Sequence, residues 1–239
     1  ILFGYMDLHI IVKTCDSNTL NSLPRVCSEK KIDIINKCLT SVVLSAGQST
    51  KSIKISVVDD ASSNECVDLI KKILKNSFKE TELITREKNN FKEATLQTFE
   101  LAKNSDSTLV YCIEDDYLHE PNSIQEMIDF YDFSFNQLNK SKDIIICPHD
   151  EPNNYSARFY EQCYVVLGQR RHWRTNSHTM CTFMTTPGLI RRNWEFFLKF
   201  SNEFSSEISE ENTIDAVWNF TTSQLFTPIP SVAFHLHDE

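Results

Sequence analysis

Short apolar runs of strand length alternate with amphipathic helical patterns through the first half of the chain, and this alternation limits the possible folds more than any other feature. Parallel strands need a crossover connection of roughly a dozen residues or more, which is usually a helix. The alternation therefore predicts crossover units, a mostly parallel sheet and helices on both of its faces. The apolar runs are Asp7–Lys13, Ile53–Val58, Glu82–Thr85 and Thr108–Ile113, and the helical patterns cover 26–48, Glu65–Leu74 and Phe91–Lys103.

The second half of the chain is less regular but contains both kinds of element. It shows no internal repeat and no flexible low-complexity linker, so we expect a single α/β domain over residues 1–239. The predicted strands are Asp143–Cys147, Tyr164–Gly168, Met180–Thr185 and Ile229–Phe234, and the predicted helices are Asn122–Phe135, Arg191–Phe204 and Ile214–Thr222.

The charge balance and the composition exclude several functional classes. With 24 Lys and Arg against 33 Asp and Glu, the net charge is −9, so the chain lacks the broad basic surface that nucleic-acid binding needs. No stretch approaches the roughly 20 apolar residues of a membrane helix. Only four glycines occur, and none forms a glycine-rich phosphate loop of the P-loop or dinucleotide type.

The N-terminus and the cysteines bear on processing and compartment. The chain begins at Ile1 without a Met and shows no signal-peptide pattern, which leaves open that it is one module of a longer polypeptide. Its eight cysteines include no CxxC pair and no zinc-ligand spacing, which favours buried thiols in a reducing, cytoplasmic compartment over a disulfide framework. Sequons at Asn139, Asn154 and Asn219 favour the secretory lumen instead, but such triplets arise by chance in an Asn- and Ser-rich chain.

Polar and acidic residues lie at the ends of three of the four strands predicted in the first half. Thr14 and Asp16 follow the first strand, Asp59 and Asp60 follow the second, and the acidic run Glu114–Asp116 follows the fourth. In open parallel sheets, ligands bind beyond the carboxyl ends of the strands. We therefore expect a ligand site where these residues meet.

The run Glu114–Asp116 is the strongest of these signals. Three consecutive carboxylates at the end of an apolar strand repel one another and lose hydration unless a cation lies beside them. Oxygen ligands of this kind suit Mg²⁺ or Mn²⁺, which keep open positions for substrate phosphates. An exposed acidic loop is the alternative. The Val-Val-Asp-Asp sequence at the end of the second strand also occurs in response-regulator receiver domains. In those domains the acidic pair follows the first strand, so the strand order here excludes that class.

Several weak motifs occur in an order that resembles the GT-A glycosyltransferases, specifically the family 2-like enzymes. The Glu-Asp-Asp run with a proline a few residues later resembles the DXD-type motif of that family and its variant in Golgi N-acetylglucosaminyltransferases. The resemblance covers Leu8 to about Tyr131 and, more weakly, Thr179 to His237, and it implies a GT-A, Rossmann-like fold. The motifs in order are Ile10–Val12, Cys38–Val42, Ile55–Ser62, Asn89–Ala94, Leu109–Asp116 and Glu120–Ile124.

The resemblance implies a metal site at the acidic run. Asp116 would ligate a Mn²⁺ or Mg²⁺ ion that bridges the donor diphosphate, while Glu114 and Asp115 would contact ribose or metal-bound water. Many GT-A enzymes use a late histidine as a further ligand. His235 and His237 alternate after an apolar strand and so share one face, and His235 is the favoured ligand because it comes first; a surface histidine is the alternative.

The resemblance also assigns residues to the rest of the donor. Thr14 and Asp16 would lie near the nucleotide base, and Asp59 and Asp60 would bind base or ribose. In the family, the helix after the third strand usually begins with Gly and carries Arg or Asn near its start, whereas this chain has Phe-Lys-Glu-Ala-Thr. Lys88 or Lys92 could supply the positive charge to phosphate instead. The alternative for each is an ordinary exposed lysine.

An inverting transferase needs a base that deprotonates the acceptor hydroxyl, and the resemblance implies a carboxylate in an acidic motif at a helix start. The candidates are Asp215, Glu211 and Glu210. Asp215 comes first because its Asp-x-x-Trp spacing resembles the Golgi-type enzymes, and Glu211 follows. The alternative for all three is helix N-terminal charge that favours the macrodipole.

The basic stretch that contains Arg171, His172 and Trp173 is a candidate acceptor-binding loop. It resembles the Gln-x-x-Arg-Trp signature of processive cellulose and hyaluronan synthases, but it has His in place of Arg and precedes the candidate base. A processive synthase is therefore excluded. Two interpretations of the stretch remain. It is either a loop that closes over the diphosphate with Trp173 stacked on a sugar, or a solvated loop.

The resemblance implies metal-dependent transfer of a hexose or N-acetylhexosamine from a nucleotide diphosphate sugar, with UDP-sugar expected, to a hydroxyl of a glycan or other acceptor, with inversion. Residues 1–116 would bind the donor and residues 117–239 the acceptor. A sugar-nucleotide pyrophosphorylase would need a Gly-rich loop after the first strand, which is missing. A non-catalytic GT-A relative that binds a nucleotide sugar or glycan is the remaining alternative.

Overall fold

The computed structural model describes residues 7–17, 26–27, 30–137, 143–155, 163–179, 181–203 and 213–237. A nine-stranded sheet forms the centre of this part of the chain, and a two-stranded sheet lies beside it. The strands are β1 Leu8–Thr14, β2 Ile53–Asp59, β3 Glu80–Thr85, β4 Leu109–Glu114, β5 Tyr117–His119, β6 Ile144–Ile146, β7 Val165–Leu167, β8 His172–Asn176, β9 Phe183–Thr185, β10 Gln224–Ile229 and β11 Ala233–His235. The helices are α1 Lys31–Gln48, α2 Asn64–Lys75, α3 Phe91–Lys103, α4 Ser123–Gln137, α5 Pro187–Arg192, α6 Trp194–Glu203 and α7 Ala216–Asn219, with one 3₁₀ turn at Pro152–Tyr155.

The strand order in the large sheet is β3-β2-β1-β4-β9-β6-β10-β8-β7. The four strands of the first half pair in parallel, as their helical crossovers require. Among the described strands of the second half, only β6 and β10 pair in parallel, and β7, β8 and β9 are antiparallel to their neighbours. The predicted α/β fold with a central sheet flanked by helices is confirmed.

The sheet is covered by helices on both faces because side chains alternate along each strand. Ile10 belongs to a buried cluster that includes residues of α1, α2 and α4, whereas the next residue, Ile11, belongs to a second cluster with residues of α3, α5 and α6. Polar caps begin some of these helices: Ser63 accepts a hydrogen bond from the amide of Cys66 at the start of α2, and the Asn90 side chain accepts one at the start of α3.

The registers place the carboxyl ends of the central strands at one level. Thr14 at the end of β1 pairs with Asp59 at the end of β2, and Lys13 pairs with Glu114 at the end of β4. The ends of β6 and β10 point the same way, because β9 is antiparallel to both β4 and β6 and β10 is parallel to β6. The loops after these strands therefore share one edge of the sheet.

Four predictions for the second half need correction. The single strand predicted over Ile229–Phe234 misses most of β10, which ends at Ile229, and covers only Ala233 and Phe234 of β11, a strand of a different sheet. The helix predicted over Arg191–Phe204 is divided into α5 and α6, and that over Ile214–Thr222 shortens to α7. The basic stretch, predicted as a loop, runs into β8, which is stabilised by pairing with β10.

Most of the cysteines are core residues, as their scatter predicts. The structure buries Cys15, Cys38, Cys66, Cys112, Cys147 and Cys181, while Cys27 and Cys163 are exposed. Burial raises the pKa of the Cys112 thiol to about 12, so it stays protonated near neutral pH. None of the helices in the described ranges has the length and apolar character needed to cross a membrane.

Candidate functional site

The small β5/β11 sheet brings the end of the chain to the acidic run. β11 pairs antiparallel with β5, and His235 lies opposite Tyr117, the residue that follows Asp116. The amide of Leu236 donates a hydrogen bond to the carbonyl of Asp116 at 2.8 Å. Backbone pairing thus fixes the late histidines beside the carboxylate at the end of β4.

Asp116, His235 and His237 form a compact cluster whose potential ligand atoms all lie within 4.8 Å of one another. The Nε2 atoms of His235 and His237 lie 3.6 and 2.9 Å from Asp116 Oδ2. The 2.9 Å contact between His237 Nε2 and Asp116 Oδ2 is not a hydrogen bond, because its geometry does not align the N–H with the acceptor oxygen. Within the described ranges, Asp116 Oδ1 and both ring nitrogens of His237 are buried without a hydrogen-bond partner.

This donor set fits a divalent cation. Buried polar atoms are nearly always hydrogen-bonded, so three orphaned atoms in one cluster indicate a missing partner. Burial raises the pKa of Asp116, but the imidazoles of His235 and His237 and the ammonium of Lys31 outweigh it and hold the pKa well below its ordinary value. Mg²⁺ prefers oxygen ligands alone, so one ionised carboxylate and two imidazoles fit a transition-metal ion better.

Two lysines share the remaining charge of the acidic run. Lys31 at the start of α1 places Nζ 2.6 Å from Asp115 Oδ1 and 3.7 Å from Asp116 Oδ2. Lys13 lies 3.7 Å from Glu114. Asp115 also accepts a hydrogen bond from the amide of Cys15 at 2.8 Å, which ties the loop after β1 to the loop after β4. Burial nevertheless raises the pKa of both Glu114 and Asp115.

The residues predicted to contact base and ribose hold the neighbouring loops together. Asp59, which is completely buried, accepts hydrogen bonds from the Thr14 hydroxyl at 3.0 Å and the Ser62 amide at 3.1 Å. Asp60 accepts from Arg86 Nε at 3.1 Å and from the Asn90 amide at 2.9 Å. These contacts fix the loop after β2 and the start of α3.

The other predicted donor residues differ in position. Asp16 is half-buried and accepts hydrogen bonds from the amide and hydroxyl of Ser63, so it borders the same edge. Lys88 is exposed in the loop before α3. Lys92 is also exposed, but its ammonium donates to the carbonyl of Asn202 in α6 at 2.9 Å, which turns it toward the neighbouring helix.

The candidate acceptor residues separate into two environments. Trp173 is 1% exposed and stacks on Phe130 with ring centroids 4.0 Å apart, so its ring is part of the core. Arg171 forms ion pairs with Glu120 and Glu126. His172 is exposed and pairs in register with the last residue of β10, at the edge of the sheet that carries the acidic run.

Of the candidate bases, Glu210 and Glu211 lie outside the described residues. Asp215 directly precedes α7 and is 1% exposed. Its carboxylate contacts His178 Nδ1 and accepts a weak hydrogen bond from the Thr179 amide at 3.4 Å.

Sequence reasoning missed three residues of this region. The sequence predicts that His237 shares a face with His235, but it favours His235 as the ligand. The structure places His237 nearer to Asp116, and its strand alternation was a usable signal. Lys31 and His178 carried no signal, because each reaches the site from a different part of the chain.

The comparisons with known proteins agree with this architecture. The family described as Glycosyl transferase family 2 matches residues 26–194. No curated protein matches the sequence.

Among solved structures, the chain is similar to S. aureus TarS 1-349, with a TM-score of 0.58 and 14% identity over 93% of this chain and 60% of that chain. The UDP complex of TarS 1-349 gives a TM-score of 0.54 at 14% identity, with coverage of 93% and 60%. The UDP-GlcNAc complex gives 0.53 at 16% identity, with coverage of 93% and 58%. The chain therefore spans less than two thirds of these structures, and the likeness concerns the fold.

The expected GT-A architecture is confirmed by the sheet, by these structures and by the family match. Since that match covers well over half of the chain and includes the central strands β2 and β4 and the acidic run, the chain belongs to glycosyl transferase family 2.

Proposed function

We propose that this chain is a metal-dependent glycosyltransferase that moves a sugar from a nucleotide diphosphate sugar to a hydroxyl of a glycan or other acceptor, with inversion at the anomeric carbon. Membership of family 2 supports the reaction class. The observation that carries the proposal is the buried cluster of Asp116, His235 and His237 with its orphaned polar atoms at the ligand-binding edge of the sheet.

We propose Asp116, His235 and His237 as the residues that hold a divalent cation, with Mn²⁺ expected rather than Mg²⁺, which prefers oxygen ligands alone. When bound, such an ion neutralises negative charge that develops on the departing diphosphate. Asp115 and Lys31 keep the acidic run in place through their ion pair. The backbone bond between Leu236 and Asp116 holds the two histidines in reach of the carboxylate.

A uridine donor is the specific proposal for the nucleotide, supported by structures of the same fold in complex with UDP and with UDP-GlcNAc. Thr14 and Asp59 are completely buried and bonded to each other, so their proposed role is to shape the base-binding loop. Asp16 is the partly exposed member that could contact the nucleotide. Lys88, exposed near the start of α3, is the proposed contact for phosphate.

The acceptor is proposed to bind on the side of the edge formed by the second half of the chain. His172 begins β8, pairs with Ile229 at the end of β10 and is exposed, whereas Arg171 forms ion pairs with Glu120 and Glu126. Trp173 is 1% exposed and stacks on Phe130 within the core, so its ring is not accessible to a sugar. His172 is therefore the candidate of this stretch for acceptor contact.

The test is a panel of nucleotide sugars, with UDP-GlcNAc and UDP-glucose first, assayed for binding and for donor cleavage with and without Mn²⁺. We expect binding of a UDP-sugar to tighten with Mn²⁺ and cleavage to require it. Asp116→Ala should abolish both metal effects, while Lys92→Ala, at an exposed position turned toward α6, should behave as the wild type. Binding without any turnover would instead identify a non-catalytic relative, and the absence of donor binding would refute the proposal.

A further inference from the structure

Asp215 is poorly placed to accept a proton from an acceptor hydroxyl directly. Its side chain is 1% exposed. One carboxylate oxygen contacts His178 Nδ1, and the other accepts from the Thr179 amide. A general base must come within hydrogen-bond reach of the proton that it removes. The buried carboxylate meets that condition only if the loop that carries His178 moves away.

His178 contacts this buried carboxylate and is itself partly exposed to solvent. Its side chain is 41% exposed, in contrast to Asp215. A carboxylate can only accept a hydrogen bond, so the contact places the ring proton on Nδ1 and the basic lone pair on Nε2. We assign the tautomer from this contact. The contact resembles the pairing of a histidine base with a buried aspartate that orients it.

The position of His178 in the fold agrees with a role at the same site. The loop that contains it leads into β9, where Phe183 pairs with Cys112 of β4. The Thr182 hydroxyl of this loop accepts a hydrogen bond from the Glu114 amide at 3.0 Å. Thr182 therefore lies beyond the carboxyl end of β4, next to the acidic run that includes the proposed metal ligand Asp116, and its carbonyl accepts a hydrogen bond from the hydroxyl of Thr179, the residue after His178, at 3.5 Å.

Two further bonds fix the loop on the side of α7. Trp218 Nε1 and Asn219 Nδ2 both donate to the carbonyl of Ser177, at 2.9 and 2.8 Å. The residue before His178 is thus anchored to the same helix that Asp215 precedes. This double attachment orients the imidazole in advance, as a catalytic base requires.

We propose that His178 is the catalytic base of the transfer reaction and that Asp215 is the residue that positions it, an inference that rests on the proposed glycosyl transfer. The proton of the acceptor hydroxyl moves to His178 Nε2 as the acceptor oxygen forms a bond to the anomeric carbon. The bond from that carbon to the diphosphate oxygen breaks, and its electron pair leaves with the nucleoside diphosphate. Asp215 stabilises the imidazolium, which later loses its proton to solvent.

The experiment measures hydrolysis of UDP-GlcNAc in the presence of Mn²⁺, so that water is the acceptor, together with binding of UDP-GlcNAc by calorimetry. His178→Asn keeps an N–H donor toward Asp215 but has no basic nitrogen. We expect its affinity for UDP-GlcNAc and its Tm to match the wild type, while kcat falls by roughly 10²–10⁴-fold. Added imidazole should restore part of the activity of His178→Ala.

The positioning role of Asp215 has a separate spectroscopic readout. Nitrogen-15 NMR of labelled histidine should show the Nδ1–H tautomer of His178 in the wild type. Asp215→Asn should lower kcat and shift His178 toward the Nε2–H tautomer, since an amide can donate to Nδ1. A carboxylate that merely stabilised the fold would lower the Tm in Asp215→Asn and leave the kcat of the folded variant unchanged.

Several outcomes would overturn the assignment. Wild-type turnover in His178→Asn, or the Nε2–H tautomer in the unmodified protein, would show that the histidine is not the base. Loss of turnover in Glu211→Gln or Glu210→Gln with normal turnover in His178→Asn would assign the base to a glutamate. A wild-type protein that binds no nucleotide sugar would refute the proposed transferase function itself, a result distinct from the others.

Discussion

His237 places Nε2 2.9 Å from Asp116 Oδ2, in a buried contact that is not a hydrogen bond. The two residues are distant in sequence and meet because β11 pairs with β5. Because Asp116 and His237 lie this close without a hydrogen bond between them, a third group that binds both side chains would explain their arrangement. A divalent cation held by Asp116 and His237 would supply that group.

We expect His237→Ala to weaken Mn²⁺ binding by more than 10-fold. Loss of a group that merely supports a ligand typically costs about 10–100-fold in metal affinity, and a direct ligand should cost at least as much. Calorimetric titration with Mn²⁺ measures the effect without any assay of activity. His172→Ala removes an exposed histidine outside the cluster and serves as the control. Equal affinity in both variants would exclude His237 as a ligand.

Lys31→Met should destabilise the metal-free protein by about 3–5 kcal/mol, the usual cost of removing one partner from a buried ion pair. Lys31 Nζ lies 2.6 Å from Asp115 and both side chains are 10% exposed, so two carboxylates lose their nearest cation. Denaturant unfolding measures the loss. Mn²⁺ should raise the Tm of Lys31→Met more than that of the wild type, because the added cation replaces the missing charge. Equal metal-induced shifts would contradict this account.

The stability of the fold should fall as the pH drops from 6.5 to 4 because of His119. Burial lowers the pKa of His119 from 6.5 to about 4, so the folded state keeps the imidazole neutral in this range. The unfolded state binds a proton below pH 6.5, and the folded state does so only below pH 4. Stability is therefore lost within this window, by about 3 kcal/mol at its lower end.

Chemical unfolding of the wild type and His119→Gln between pH 7 and 4 measures this contribution, and the slope should be smaller in the variant. Tyr111→Phe is the matched control. It removes the hydroxyl that lies 2.7 Å from His119 Nε2 but keeps the buried imidazole. We expect the control to lose about 1 kcal/mol of stability and to retain a steep slope. A wild-type slope in His119→Gln would assign the acid sensitivity to other groups.

Trp173→Ala should unfold more easily by about 3–5 kcal/mol, the typical cost of truncating a large buried aromatic side chain. The indole stacks on Phe130 within the core. His172→Ala, one residue earlier and exposed, should change stability by less than about 0.5 kcal/mol. Denaturant midpoints of the two variants provide the comparison. A stable Trp173→Ala with a raised KM for acceptor would support the sugar-stacking role instead.

The sequence predicted the first half of the sheet well because each element there carries its own local signal. Apolar β-branched runs, helical spacing and polar strand ends identified β1, β2 and β4, and parallel pairing follows from the helices between them. The second half was less predictable. Its strands are short, and strands such as β6 and β9 are buried on both faces and so show no alternation, whereas β8 and most of β10 were not predicted at all.

The sequence by itself determined the fold class and the strand ends that carry the acidic residues, because hydrophobic periodicity and chain connectivity are local properties. The tertiary structure alone decided which side chains meet there. It paired β11 with β5 to bring His237 to Asp116, placed Lys31 against Asp115, and enclosed Asp215 behind His178. It also buried Trp173 in the core. Contacts between residues distant along the chain depend on packing and register, which no single segment of sequence encodes.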